Sequence, residues 1–226
     1  MLQLTGNQLK IIAMVAMTLD HVGMLLFPQF PILRNLGRLA MPIYAYMVAE
    51  GCRYTHSRKK YLFRLLELGL VCQVVYFLAI GSLYQCILIT FSLSAAVIFC
   101  VDWARKQSAF LAFLVSIGAV CTVWFFCEIL PSLLPGTDFS VDYGLCGVVL
   151  PVLVWLGKSK QQKLLLFTLG LVLLSLDYGG AQWYALATVP LIALYSGQRG
   201  KANIGKLFYF YYPAHLVIIQ GISLIL

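Results

Sequence analysis

Long apolar runs of about 15 to 22 residues alternate with short polar segments along the whole chain. A run of that length matches an α-helix that crosses the roughly 30 Å hydrocarbon core of a bilayer. Helices are the economical structure there, because lipid-exposed backbone must satisfy its own hydrogen bonds. The pattern predicts about nine spanning helices (roughly eight to ten), and the short seventh and eighth can instead form a re-entrant pair around Gly179 and Gly180. The predicted spans are 9–27, 32–51, 61–80, 84–102, 109–130, 139–157, 164–178, 181–196 and 207–226.

The composition supports a membrane protein. Hydrophobic residues make up 62% of the chain and charged residues only 11%, against about 25% charged residues in an average soluble domain. Mean hydropathy is +0.90, so too few polar residues remain to cover the surface of a soluble fold. No linker or low-complexity segment marks a second domain. We therefore expect an all-α fold, a polytopic integral membrane helix bundle that forms a single domain over residues 1–226, surrounded by lipid and without a nucleic-acid partner.

The basic residues predict the orientation of the bundle. Fourteen of the 16 Lys and Arg residues lie on or beside one set of predicted connections. The opposite connections, at 28–31, 81–83, 131–138 and 179–180, carry none. Because cytoplasmic loops of membrane proteins are enriched in Lys and Arg, this pattern predicts a cytoplasmic N-terminus and an outward-facing C-terminus.

The first predicted span carries two ionisable residues, Asp20 and His21, slightly beyond its midpoint. A charge inside a bilayer costs about 2.5 kcal/mol or more, and it normally faces a partner or a wet cavity. Adjacent helical side chains diverge by about 100°, so we expect Asp20 and His21 to face different neighbours. The pair is consistent with a base in a cavity, or with buried polar groups that hold helices together.

The second predicted span carries the two remaining basic residues, Arg34 and Arg38, four positions apart on one helix face. Arg34 lies near the outer interface, and we expect its guanidinium to extend toward that interface. Arg38 lies deeper and needs a counter-ion, and Asp20 on the preceding antiparallel helix is at a similar depth. We predict an Arg38–Asp20 pair, and a helix kink at Pro42.

A dense basic patch follows this span, just after Glu50 and the predicted helix end. Its cations suit phosphate oxygens by charge and by fork geometry, which favours a clamp for a phosphorylated cytosolic ligand. Plain topology with binding of anionic lipid is the alternative. No Gly-rich phosphate loop or hydrolase motif appears, and no cysteine or histidine spacing indicates a metal site. The patch comprises Arg53, Arg58, Lys59, Lys60 and Arg64.

The last predicted span contains His215, with Tyr211 and Tyr212 one helical turn before it on the same side. His215 is either a site residue or a histidine whose polar nitrogen is satisfied by a tyrosine hydroxyl. Thr90 is a lone hydroxyl in another apolar run, and Asp142 belongs to an outer connection.

Several segments, taken together and in order, resemble the TraX family of multi-helix inner-membrane proteins associated with N-terminal acetylation of pilin. One departure is Cys86, at a position where that family usually has Asn. The first part of the chain is also similar, more distantly, to membrane acetyltransferases of the heparan-glucosaminide type, which pass acetyl from cytosolic acetyl-CoA to an acceptor on the far side. The matching segments are IIAMVAMTLDHVG, LGRLAMPIYAYMVAEG, RKKYLFRLLELG, ILITFSLS, DYGLCG and LFYFYYPAHL.

The resemblance implies an acetyl-CoA-dependent N-acetyltransferase in the bacterial cytoplasmic membrane, with an outward-facing acceptor such as the N-terminal amine of a pilin-like or secreted peptide. His21 is the implied general base, because a histidine can take up a proton near neutral pH. Asp20 and Arg38 form a charged wall beside it. The basic patch is implied to hold the phosphates of acetyl-CoA, with the pantetheine arm running toward His21. The residues implied to line the substrate tunnel are Glu50, Tyr61, Thr90, Asp142, Tyr212 and His215.

Two other functions fit the same residues. A small proton-coupled transporter can use Asp20, Arg38 and His215 as a proton relay, although the chain lacks a clear repeat with paired broken helices. A structural component of a pilus or conjugation system can use the polar groups only to hold its helices together.

Overall fold

The computed structural model describes residues 3–201 and 205–225, and helices account for most of them. A π-helical turn at Phe125–Ile129 separates α6 from α7, and a 3₁₀ helix at Gly180–Ala187 precedes α10. Within the described residues the extended pairings are two isolated bridges, Leu4 with Tyr195 and Gln85 with Val141, so the all-α prediction is confirmed. Helices α1 to α11 are Gly6–Leu25, Pro31–Gly37, Ala40–Tyr54, Arg58–Ile80, Ile87–Gln107, Ala109–Trp124, Leu130–Leu133, Gly144–Leu156, Lys160–Tyr178, Thr188–Ala193 and Gly205–Ser223.

Local sequence signals set several helix ends. Thr5 and Gln8 form a capping box at the start of α1, in which Gln8 Oε1 accepts a hydrogen bond from the Thr5 N–H at 2.8 Å. Ser57 and Ser108 cap α4 and α6, each with a hydroxyl that accepts a backbone N–H. Helix α4 stops at Gly81, whose φ of 68° is a left-handed conformation that glycine adopts without steric cost.

Four helical segments of the described residues are long and apolar enough to cross a membrane. Helix α8 is apolar but shorter. These segments confirm a helical membrane protein, whereas the count of about nine spans and the cytoplasmic N-terminus stay predictions. The four segments are Gly6–Leu25, Arg58–Leu78, Ile87–Gln107 and Ala109–Leu133.

The second predicted span is not one continuous helix. It divides into α2 and α3, with a turn at Arg38 and Leu39. The predicted kink takes the form of a break one turn before Pro42, at Arg38, whose carbonyl the missing Pro42 N–H leaves without its helical partner. Pro42 lies in the first turn of α3, where its missing N–H costs nothing because the first backbone donors of a helix have no intrahelical partner.

The eighth predicted span also differs from a regular helix. Gly179 and Gly180 both have positive φ, of 64° and 49°, and they end α9 sharply. The chain then runs as the 3₁₀ helix and α10. A 3₁₀ helix rises about 2 Å per residue, more than an α-helix does. The eight residues of the 3₁₀ helix therefore rise about 16 Å, against about 12 Å for an α-helix of the same length.

Large apolar side chains cover the outside of α4 and α6. Leu78 is 78% exposed and Phe110 is 70% exposed, and Phe63, Phe113 and Leu70 are also exposed. Large exposed apolar patches are rare on soluble monomers, and these two helices expose many large apolar side chains. Lipid tails would cover them without cost, which fits the membrane assignment.

The chain divides into two compact units. We call Met1–Met47 with Phe167–Leu226 the terminal unit, and Val48–Leu166 the central unit. In the terminal unit, α1 packs against α2 and α11. In the central unit, α5 packs against α4, α6 and α8, and the Ser94 hydroxyl of α5 donates a hydrogen bond to the Val148 carbonyl of α8 at 2.8 Å.

Candidate functional site

Asp20 forms ion pairs with both arginines of the second predicted span, all within the terminal unit. Arg34 Nη1 donates to Asp20 Oδ2 at 2.8 Å, and Arg38 Nη2 lies 3.5 Å from Asp20 Oδ1. The predicted Arg38–Asp20 pair is thus confirmed. The expectation that Arg34 extends away to the interface is wrong, because Asp20 offers a carboxylate within reach and a paired charge costs less in lipid than a lone one. We call these three residues the Asp20 ion cluster.

Two glycines let α1 and α2 approach closely enough for these pairs. A Cβ at Gly37 would overlap the Asp20 side chain, and a Cβ at Gly23 would lie 2.7 Å from the Leu33 Cβ. Side chains at either position would push the helices apart, and small residues at helix contacts permit this close approach. The geometry of the Asp20 ion cluster therefore depends on Gly37 in particular.

His21 faces α11 instead of the arginines. His215 Nε2 lies 3.3 Å from His21 Nδ1, and the two rings meet edge to face with centroids 5.0 Å apart. Asp20 and His21 therefore do face different neighbours, as the 100° divergence of adjacent helical side chains predicts. His215 is only 5% exposed, and His21 is partly buried.

Two aromatic rings of α11 pack against the His215 ring. The Tyr211 ring stacks on the His215 ring at 5.2 Å with planes 7° apart, and the Tyr212 ring meets it at 5.6 Å. The Tyr211 hydroxyl forms a hydrogen bond with the Thr18 hydroxyl of α1. We call His21, His215, Tyr211, Tyr212 and Thr18 the histidine cluster.

Backbone carbonyls fix the tautomer of each neutral histidine. His21 Nδ1 lies 2.9 Å from the Met17 carbonyl oxygen, and His215 Nδ1 lies 2.9 Å from the Tyr211 carbonyl oxygen. Because a carbonyl can only accept, we assign a proton to each Nδ1 from the hydrogen-bond network. His21 Nδ1–H is then shared with His215 Nε2, and His21 Nε2 keeps its lone pair. Within the part of the chain that the structure describes, no hydrogen-bond partner is found for His21 Nε2.

The predicted tunnel residue Glu50 lies in the central unit and is 6% exposed. Its Oε1 accepts a hydrogen bond from Lys163 Nζ at 2.6 Å and lies 4.0 Å from Arg53 Nε. Tyr61 lies beside the C-terminal end of α3, since a Cβ at Gly51 would overlap the Tyr61 hydroxyl. Glu50 therefore serves as the counter-ion of Lys163, whose side chain is 12% exposed.

Thr90 and Asp142 come together at the opposite end of the central unit. Thr90 Oγ1 donates to the Asp142 carbonyl at 2.7 Å, and the Tyr84 hydroxyl donates to Asp142 Oδ1 at 2.5 Å. Tyr143, which follows, has a φ of 58° and is the residue immediately before α8. The Cys86 thiol lies 3.8 Å from the Gly69 carbonyl.

Asp138 lies at the same end of the central unit as Thr90 and Asp142. It accepts hydrogen bonds from the Ser82 hydroxyl at 2.5 Å and from the Leu83 N–H at 2.7 Å. These bonds stabilise the carboxylate and lower the pKa of Asp138.

The five residues of the predicted basic patch separate into two groups. Arg53 and Arg58 line a cavity of about 280 Å³. Lys59, Lys60 and Arg64 are exposed and are not among the residues that line it. The cavity instead takes basic residues that the patch prediction missed, Arg105 and Lys158. The signal for them was their position at helix ends on the same predicted side of the bundle.

The structure therefore gathers the predicted residues into separate places. His21, His215, Tyr212, Asp20 and Arg38 lie in the terminal unit. Arg34, Tyr211 and Thr18 are further members of those clusters that the predicted set of site residues did not include. The predicted residues of the central unit are Glu50, Arg53, Arg58, Lys59, Lys60, Tyr61, Arg64, Thr90 and Asp142.

Comparisons with known proteins cover nearly the whole chain. The chain is 26% identical over 246 residues to a probable fimbrial assembly protein FimC, serogroup H1, of Dichelobacter nodosus, which covers 97% of this chain and 96% of that protein. It is 35% identical over 66 residues to the uncharacterized protein RP591 of Rickettsia prowazekii (strain Madrid E), covering 29% of this chain and 25% of that protein. No solved structure matches.

The family model described as TraX protein matches residues 5–223. These findings do not bear on the more distant resemblance to heparan-glucosaminide acetyltransferases, which stays an expectation. The match over 5–223 leaves almost none of the chain outside it, and it includes the Asp20 ion cluster, the histidine cluster and the basic end of the central unit. The chain belongs to the TraX family.

Proposed function

We infer that this chain is a membrane acyltransferase of a pilus-assembly system, which moves an acetyl group from acetyl-CoA to the terminal amine of an outward-facing peptide. The context comes from the family, together with a relative of nearly equal length that is named a probable fimbrial assembly protein. The chemistry comes from the terminal unit.

The observation that carries the proposal is the hydrogen-bond pattern of His21. Its Nδ1–H points to the Met17 carbonyl and to His215 Nε2, which leaves Nε2 as the basic nitrogen. A general base needs this arrangement, in which one ring nitrogen is held as a donor and the other is left to accept a proton. His21 is only partly buried, so part of the residue remains accessible.

In the proposed reaction, His21 carries one proton from the acceptor amine to the CoA sulfur. The neutral amine nitrogen of the acceptor attacks the thioester carbonyl carbon of acetyl-CoA. As the tetrahedral intermediate forms, His21 Nε2 takes a proton from that nitrogen. The C–S bond then breaks, and the CoA sulfur leaves as a thiol after it receives the proton from the imidazolium. The products are the acetylated amine and CoA, and His21 returns to its neutral form.

His215 has a supporting role in this scheme. When His21 carries the extra proton, its Nδ1–H still points to His215 Nε2 at 3.3 Å. A neutral acceptor there stabilises the imidazolium without placing a second full charge inside the bilayer. His215 is held by the Tyr211 carbonyl and by the stacked Tyr211 ring, so it acts as a positioning residue.

The Asp20 ion cluster supplies positive charge near the base. Two guanidinium groups share one carboxylate, which leaves an excess of one positive charge. Such a cation can stabilise the oxyanion that develops on the thioester carbonyl oxygen, and preorganised charge of this kind is often the largest single contribution to catalysis. Asp20 itself keeps the two arginines in place.

A second function, a structural component of a pilus-assembly system, is favoured by the name of the relative, a probable fimbrial assembly protein. Under it, the Asp20 ion cluster and the histidine cluster only hold helices together. The two functions differ in one respect, because only the acyltransferase needs an imidazole with a free nitrogen at position 21.

The test is an acetyl-transfer assay with the full chain in lipid nanodiscs. Acetyl-CoA and a synthetic peptide with a free terminal amine are supplied, and acetylated peptide is measured by mass spectrometry. We expect His21→Ala to lower the rate by about 100-fold or more, because general bases contribute about 10²–10⁴. His56→Ala, at an exposed loop histidine, is the matched control and should keep the wild-type rate. Equal and measurable rates in the two variants would rule out His21 as the base, and a wild-type protein that produces no acetylated peptide would favour the structural function.

A further inference from the structure

The cavity at the basic end of the central unit is the most distinctive site outside the histidine cluster. Helices α3 and α8 end there, α5 ends there, and α4 begins there. Its lining includes four basic side chains and a single carboxylate, that of Asp102. We call this cavity the basic pocket, and its basic residues are Arg53, Arg58, Arg105 and Lys158.

Arg53 is held rigidly at the wall of the basic pocket. Its Nη2 donates to the carbonyl oxygens of Trp155 at 2.6 Å and Gly157 at 2.8 Å. These carbonyls belong to the end of α8, where the last carbonyls of a helix have no intrahelical partner. The guanidinium therefore closes the end of α8 and keeps its charge at a fixed position.

Arg58 is fixed by a different partner. Its Nη2 forms an ion pair with Asp102, and its guanidinium lies 5.6 Å from the centre of the Phe99 ring. Asp102 is shared with Lys106 at 3.2 Å. One carboxylate thus offsets two cations, so positive charge remains in excess on this side of the pocket.

Arg105 and Lys158 complete the excess of positive charge. Neither forms an ion pair with any residue that the structure describes. The Arg105 guanidinium lies 5.2 Å from the centre of the Trp155 ring, and both side chains are exposed. A pocket with two fixed guanidinium groups and two cations without a carboxylate partner is suited to a ligand that carries several negative charges.

We propose that the basic pocket binds the phosphate groups of the nucleotide carried by the acyl donor, with Arg105 and Lys158 as the main contributors. This assignment rests on the proposed acetyl-CoA-dependent function. It adds two residues to the predicted phosphate clamp and takes Lys59, Lys60 and Arg64 out of it.

The volume of the basic pocket is consistent with binding one part of a CoA molecule. Small-molecule pockets are commonly about 300–1,000 Å³, and the basic pocket holds about 280 Å³. It therefore accommodates a phosphorylated head and not a whole CoA molecule. Arginine forks and lysine ammonium groups recognise any phosphate ester, so an anionic lipid headgroup is the competing source of the same chemistry.

The experiment measures CoA binding by isothermal titration calorimetry, with the full chain in nanodiscs of zwitterionic phosphatidylcholine. The double variant Arg105→Gln/Lys158→Gln removes two charges from the basic pocket. The matched control Lys59→Gln/Lys60→Gln removes two charges from exposed residues at the same end of the unit that do not line the pocket. We expect the pocket variant to bind CoA about 30-fold more weakly, and the control to change by less than about 3-fold.

Each outcome supports or overturns the assignment. Equal losses in the two double variants, or no loss in either, would overturn it, because the charge would then act without a defined pocket. If the wild type binds short-chain phosphatidylglycerol through Arg105 and Lys158 but does not bind CoA, the pocket is a lipid site and the proposal is wrong. Binding of CoA that depends on the pocket, in a protein that transfers no acetyl group, would refute the proposed reaction alone.

Discussion

The histidine cluster and the basic pocket differ in how they hold polar groups. The histidine cluster contains neutral, hydrogen-bonded rings, whereas the basic pocket contains an excess of positive charge. In the histidine cluster, the polar nitrogens point at backbone carbonyls and at each other, and each neutral tautomer is fixed by these contacts. In the basic pocket, four cations lie with one carboxylate at the ends of helices. Groups within spans must be neutral or paired, because an isolated charge in lipid is costly, whereas helix ends reach the interface, where an excess of charge is tolerated.

The two regions have different roles in the proposed reaction, proton transfer in the histidine cluster and ligand binding in the basic pocket. Residues that are neutral at rest can accept one proton and return it, as a general base must. Residues that are permanently charged can hold a charged ligand and do not need to change their protonation state. The Asp20 ion cluster is intermediate, because it is paired within a span but keeps one more arginine than carboxylate.

The largest effect on stability is expected from breaking the Asp20 ion cluster. Asp20→Leu removes the carboxylate that Arg34 and Arg38 both contact, and we expect a loss of about 3 kcal/mol in the free energy of unfolding in mixed micelles. The triple variant Asp20→Leu/Arg34→Leu/Arg38→Leu removes every charge of the cluster and should recover most of that loss. An Asp20→Leu protein as stable as the wild type would show that these pairs do not hold α1 against α2.

A smaller loss in the free energy of unfolding is expected at Gly37, which lies against Asp20 of the same cluster. Gly37→Ala places a Cβ against Asp20 and should cost about 2 kcal/mol by forcing α1 and α2 apart. Gly118→Ala in α6 is the control, because a Cβ there meets nothing within 4 Å. Its stability should change by less than about 1 kcal/mol. Equal effects at the two glycines, measured in the same unfolding assay, would contradict the close approach of the helices.

Within the histidine cluster, Tyr211→Phe removes the hydroxyl that bonds to Thr18 and keeps the stacked ring. We expect a loss of about 1 kcal/mol. Thr18→Val removes the other partner, and the double variant should lose less than the sum of the two single losses, because both remove the same bond. Strict additivity in this double-mutant cycle would contradict the Thr18–Tyr211 hydrogen bond.

The smallest effect is expected at the acidic end of the central unit. The pKa of Asp138 is lowered by hydrogen bonds from Ser82 and Leu83. Its stabilisation is therefore present above the unfolded pKa of about 3.9 and is lost as the pH falls through the folded pKa. Thermal stability of the wild type and Asp138→Asn should differ at pH 6, and the difference should shrink as the pH falls below the unfolded pKa of about 3.9. A difference that grows as the pH falls would contradict the assigned cause.

The sequence predicts the polar contacts that depend on depth and spacing. Asp20 and Arg38 lie at similar depths on consecutive helices, and their pairing is predictable. The divergence of Asp20 from His21 follows from helix geometry alone. Arg34 is harder to predict, because its neighbourhood changes when the chain turns at Arg38 and Leu39 and α2 becomes a separate short helix.

Contacts between helices that are distant in the chain cannot be predicted in this way. The partner of His21 is His215, 194 positions away, and only the packing of α1 against α11 brings them together. Arg105 and Lys158 are distinguishable in sequence only as topological charges at helix ends. The basic pocket arises because α5 and α8 pack together and end at the same side.

The proposed reaction requires His21 to supply an imidazole base. Chemical rescue can show whether it does, with His21→Gly in nanodiscs, acetyl-CoA, the amine peptide and added imidazole. We expect transfer by His21→Gly to be nearly absent without imidazole and to rise with imidazole concentration, while imidazole leaves the His56→Gly rate unchanged. Transfer by His21→Gly at the wild-type rate without imidazole would show that His21 is not the base.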